Sequence, residues 1–94
     1  MSSPSASRFT EKQGQYLAFI HAYLKLHRRA PAETDFQLFF GTTPPSVHRM
    51  VIELEKRGLI RRTPRQARSI ELLIDVAEIP SLSDQLIKST ARGY

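Results

Sequence analysis

The stretch from Thr42 to Ile60 limits the fold most, because it carries its own start and stop. Thr43 is a good N-cap, since its hydroxyl can accept a bond from an orphan amide of the first turn. Pro44 and Pro45 fit that first turn, where a missing N–H costs nothing. Lys56 and Arg57 fall in the last turn, where the helix dipole favours cations, and Gly58 supplies a left-handed C′ residue. Val47, Met50, Val51 and Leu54 recur at i, i+3, i+4, i+7 and predict one buried stripe. The opposite face carries Pro45, Ser46, His48, Arg49, Glu53 and Lys56. A short helix with a buried back and a small, hydrogen-bonding front suits a DNA major groove.

The flanks place this helix in a larger pattern. Thr10 to Gln13 forms a capping-box sequence that opens a first helix running to about Arg28. Tyr16, Leu17, Ile20, Tyr23, Leu24 and His27 follow helical spacing and are expected in the core, with Phe19 and Leu26 widening the stripe. Gly14 weakens the first turn by about 1 kcal/mol relative to alanine. Pro31 ends the helix, and Arg29 to Pro31 reads as an extended crossing or one short strand. A second helix starts from Ala32 or Thr34, presents Phe36, Phe39 and Phe40 inward with Leu38 partly outward, and stops at Gly41. The turn to Thr43 is short, as in a helix-turn-helix whose second helix reads DNA. After Gly58, Leu59 to Thr63 and Arg68 to Ile74 read as two strands around a Pro64–Ala67 turn. The expected fold is therefore mainly α with a small β-hairpin: a winged helix-turn-helix.

Charge and composition bear on the partner. The net charge of +5 is uneven, with residues 1–74 at +6 and residues 75–94 at −1. Six cations and no acid lie between Lys56 and Arg68. By itself such a run is a solvated basic face. Placed directly after the capped helix, it points to phosphate binding. There is no cysteine, hence no disulfide, thiolate metal site or cysteine nucleophile, in keeping with a reducing cytoplasm. No apolar run reaches membrane-spanning length, and residues 1–8 lack the apolar core of a secretory signal and read as a disordered lead-in. Glu53 and Glu55 point in different directions, and His21 and His27 lie on different helix faces. No enzyme, metal or cofactor is expected.

Phe9 to Ile74 resembles the N-terminal DNA-binding domain of the LexA repressor family. The matching residues are Thr10 to Gln13, Ala30 to Phe36, Gly41, Pro44, Leu54 to Ile60 and Arg68-Ser69-Ile70. The Lys56–Ile60 ending also recurs in MarR-like winged helices. The resemblance implies that base reading falls on Thr43, Pro45, Ser46, His48 and Arg49. There is one residue fewer between Gly41 and Pro44 than in that family. Pro45 replaces an asparagine, and His48 and Arg49 replace a pair of glutamates, so a different operator is expected. The family's self-cleaving peptidase domain finds no counterpart in these 94 residues, and its dyad and dimer contact are not carried over.

Together these readings predict a cytoplasmic, nucleoid-associated transcriptional regulator of bacterial or phage type that binds double-stranded DNA sequence-specifically. The recognition helix, 43–57, enters the major groove. The wing, 61–68, brings Arg61, Arg62, Arg65 and Arg68 to the backbone or minor groove. Arg49 is the best base reader, as guanidinium pairs bidentately with guanine; its bland alternative is a surface pair with Glu53 at i+4. Residues 75–94 form a tail in which Ser83 caps a short helix to Ala91, with Leu82, Leu86 and Ile87 as its apolar residues. That tail or helix 1 is the expected homodimer contact. The competing functions are a winged-helix protein-interaction module and a non-specific nucleic-acid-binding accessory protein of a mobile element.

Overall fold

Local capping chemistry sets each helix boundary in the computed structural model, which describes residues 8–82. Helix α1 spans Glu11–His27 and starts on a complete capping box. The Gln13 amide donates to Thr10 Oγ1 at 3.1 Å, and the Thr10 amide donates to Gln13 Oε1 at 2.9 Å. Helix α2, Glu33–Phe40, has no side-chain cap from Ala32; instead the Ala32 amide donates to Asp35 Oδ2 at 2.7 Å. Gly41 closes α2 in the left-handed region at φ 61°. Helix α3, Pro44–Lys56, opens on Thr43, whose hydroxyl accepts from the Ser46 amide. Gly58 takes φ 73° after it, and the Leu59 amide returns to the Leu54 carbonyl at 3.0 Å.

The hairpin is shorter than its sequence suggests. Strand β1, Ile60–Arg61, pairs antiparallel with β2, Glu71–Leu72, placing Ile60 opposite Leu72 and Arg61 opposite Glu71. Arg65 and Arg68 both adopt positive φ, at 63° and 55°. Left-handed residues cannot continue a ladder, so the expected strands from Leu59 to Thr63 and Arg68 to Ile74 pair over two residues each. Arg29 to Pro31 is an extended crossing without strand pairing among the described residues.

The core gathers Leu17, Ile20, Phe36, Val47, Val51, Leu54, Leu59, Ile60, Ile70 and Ile74. Tyr16 stacks on Phe36 and Phe40, with centroids 5.2 and 4.4 Å away, and so binds α1 to α2. Two residues expected inside are not: His27 is exposed and Leu26 is 78% exposed, whereas Tyr23, Leu24, Phe39, Phe40 and Met50 are half-buried against the core. At 17 residues α1 is about 26 Å long, against about 12 Å for the eight-residue α2, so its last turn overhangs the core. His27 instead lies over the Tyr23 ring, centroids 4.2 Å apart.

The chain beyond β2 returns to α1. A single 3-10 turn at Val76–Glu78 is capped by the Asp75 carboxylate on the Ala77 amide. Glu78 pairs with Arg8 at 2.8 Å, which fixes the last residue of the expected lead-in. Gln15 Nε2 donates to the Ser81 carbonyl at 3.0 Å, and Ile79 and Leu82 pack against the core. The helix expected from Ser83 to Ala91 lies outside the described residues. Among the described residues, no helix is long and apolar enough to cross a membrane.

Candidate nucleic-acid interface

The packing of α3 decides which side chains it offers. Val47, Val51 and Leu54 are fully buried, so the opposite face turns outward with Thr43, Pro45, His48 and Arg49 exposed. Thr43 accepts from the Ser46 amide and donates its own hydroxyl hydrogen to Ser46 Oγ, or receives one, at 3.0 Å. Both hydroxyls therefore belong first to the cap. Pro45 offers only carbon at the surface. His48 Nδ1 lies 3.2 Å from Glu33 Oε2 at the start of α2.

Arg49 stands apart from these. The neighbour that could neutralise it, Glu53, pairs with Arg57 at 3.1 Å. Arg49 makes no hydrogen bond or ion pair among the described residues. It borders a shallow groove between α1 and α3 that also holds Lys12, Gln13, Ser46 and Glu53. A flexible guanidinium and an ammonium beside a helix front form a surface for an anionic partner.

The wing arginines divide by partner. Arg61 pairs with Glu71 across the ladder. Arg62 is half-buried, reaching Glu55 at 3.1 Å and Glu33 at 3.6 Å. Arg65, at the turn, is exposed with no partner among the described residues. Arg68, expected at the backbone or minor groove, points inward instead. Its Nη1 donates toward Asp35 Oδ2 at 3.1 Å, and toward Tyr23 Oη and the Ala30 carbonyl at 3.2 Å each. Its left-handed φ turns the side chain back toward the body, where three acceptors from α1, the crossing and α2 converge. Burial pushes the Asp35 carboxyl up, but the Ala32 amide, Arg68 and Tyr23 outweigh it and leave it below the ordinary carboxylate range. The bond to Tyr23 in turn raises Arg68 further above its usual value against the opposing effect of burial, helped by Asp35.

An exposed helix front, a cationic groove and a basic hairpin thus share one small scaffold. Residues 6–69 match the family described as the LexA DNA binding domain. The chain belongs to that family. It is 41% identical over 66 residues to a LexA repressor of Thermosipho melanesiensis, covering 70% of this chain and 33% of that protein. It is 33% identical over 86 residues to the LexA repressor of Zymomonas mobilis, covering 90% and 38%. A LexA repressor of Bartonella quintana is 37% identical over 65 residues, covering 68% and 27%. The chain spans about a third of the length of these relatives.

Set on the LexA-type scaffold, Thr43, Pro45, Ser46, His48 and Arg49 all lie at the start or on the outer face of α3, as their spacing requires. Arg61, Arg62 and Arg65 lie on the wing, the first two already in ion pairs. Two residues escaped the sequence reading. Lys12 looks like part of a cap, and only the placement of α1 beside α3 brings it to the groove with Arg49. Glu33 looks like a first-turn acid, yet it faces both His48 and Arg62. No spacing within one helix signals a pair between residues 33 and 48. Among the described residues, no group of acidic and histidine side chains could hold a metal ion.

Proposed function

We infer that this chain is a sequence-specific double-stranded-DNA-binding transcriptional regulator that inserts α3 into the major groove and rests its wing on the backbone. The observation that carries the reading is Arg49, without a partner among the described residues, beside Lys12 and Ser46 on the exposed front of a LexA-type recognition helix. In this reading Arg49 reads guanine, Lys12 and Arg65 neutralise phosphates, and Thr43 and Ser46 contact the backbone at the helix start. Pro45 meets a thymine methyl. Arg61 and Arg62 supply positive field while remaining paired with Glu71 and Glu55. The protein binds as a homodimer through the α1 side, where Leu26 and the α2 residue Leu38 are 78% and 84% exposed and border an apolar groove with Phe39 and Leu82.

Selection from a random duplex pool at two salt concentrations tests this. One motif should enrich, palindromic if the homodimer forms. Arg49→Ala should erase the preference at one position. Arg65→Ala should weaken all sequences alike and lower the slope of log K against log salt by about 1. Salt-sensitive binding without a motif would make the protein a non-specific accessory factor. Absence of binding at both salts would turn the basic wing into a protein-docking surface and end the regulator reading.

A further inference from the structure

His48 holds a fixed orientation because of a residue on another helix. Its Nδ1 faces Glu33 Oε2 at 3.2 Å, and the imidazole remains more than half exposed on its outer side. A carboxylate can only accept, so the hydrogen in this bond must sit on Nδ1. In the neutral ring that choice leaves Nε2 with a bare lone pair. Nδ1 faces back toward α2, which leaves Nε2 for the exposed side of the ring.

The charged groups around this pair belong to three elements. Glu33 comes from α2. Behind it, Arg62 from the wing lies 3.6 Å from the same carboxylate oxygen, and Arg62 is itself held by Glu55 of α3 at 3.1 Å. On α3 the adjacent charge is Arg49, which makes no pair among the described residues. Arg62 helps to aim the Glu33 oxygen that faces Nδ1.

We propose that Glu33 is a specificity-determining positioning residue, which presents neutral His48 to DNA as a hydrogen-bond acceptor and protonated His48 as a donor. Major-groove chemistry gives the consequence. An outward acceptor matches the amino groups of adenine N6 or cytosine N4. After Nε2 takes a proton, the same ring matches guanine N7 or O6, while the Nδ1 bond to Glu33 is retained as an ion pair. One operator position therefore changes its preferred base with pH while the rest of the motif stays fixed. The inference rests on the reading that α3 contacts bases.

Two measurements on the full chain test it. Nitrogen-15 imidazole spectra without DNA should find neutral His48 protonated on Nδ1, and Glu33→Ala should release it to the Nε2-protonated form. Duplex selections at about pH 8 and about pH 5.5 should enrich motifs that differ at one position. Glu33→Ala and His48→Asn should each abolish that difference, with thermal melts confirming that both variants fold. An Nε2-protonated wild-type ring overturns the inference whatever the DNA result. A motif that enriches identically at both pH values overturns the inference and leaves the regulator reading standing. Failure to enrich any motif at either pH removes both.

Discussion

Arg68 carries a distinction that charge alone would miss. Two neighbours on the same hairpin, Arg65 and Arg68, differ in where the backbone sends them. Arg65 meets solvent, whereas Arg68 joins Tyr23, Ala30 and Asp35 and so ties the wing to α1 and α2. Arg68→Gln should leave the salt slope of DNA binding unchanged, while Arg65→Ala lowers it by about 1. It should also speed amide exchange across 63–69, because the wing loses its anchor. A slope that falls by about 1 in Arg68→Gln would mean that the guanidinium leaves its pocket for phosphate. The acid limb of stability tests the same contact. The depressed Asp35 carboxyl stabilises the fold at neutral pH, and that contribution disappears as pH falls through its lowered native value. Asp35→Asn should therefore melt below wild type at pH 7, with the gap closing as pH drops under the ordinary carboxylate range of about 4.

At the scale of elements, what was legible in the sequence was what is decided locally. Thr10 and Gln13 bond each other three residues apart, and Thr43, Pro44 and Gly58 bound α3 within its own turns. The α3 front followed directly, because burial of Val47, Val51 and Leu54 leaves one outer face. The overhang of α1, the inward turn of Arg68 and the Glu33–His48 bond depend on how elements pack, and no local period encodes them. Gly14 shows the same limit. In sequence it is a helix-weakening residue; in the fold a Cβ there would lie 3.0 Å from both the Phe9 ring and Pro80 Cγ. The glycine gives the returning chain its close approach to α1. Gly14→Ala gains helix propensity of about 1 kcal/mol, yet overpacking in a filled site costs about 1–3 kcal/mol. The variant should therefore melt lower than wild type by calorimetry. A melt raised by the full propensity gain would mean that Phe9 and Pro80 move aside freely.

The whole molecule depends on a segment that looks dispensable from sequence. The three-helix and wing pattern ends near Ile74, and the acids beyond it read as a separate tail. In the structure Ile79 and Leu82 pack against the core, Pro80 lies on Gly14, the Glu78–Arg8 pair joins the two ends of the described residues, and the Gln15–Ser81 bond ties the returning segment to α1. The returning segment touches Gly14 and Gln15 rather than Arg49 or His48, so it can stabilise the domain without touching the proposed base readers. Burying a Leu or Ile side chain fully is worth about 1.5–3 kcal/mol, and these two are partly buried. Their joint contribution is then about 2 kcal/mol, which in a domain of this size corresponds to about 8–16 °C in melting temperature. A chain cut after Ile74 should melt below a chain cut after Leu82 by about that much. Both should retain the base preference of a single half-site when assayed well below their melts, since Arg49, His48 and the wing remain. Equal melting of the two truncations would put the folded boundary back at the end of the hairpin and make the contacts of 78–82 energetically idle.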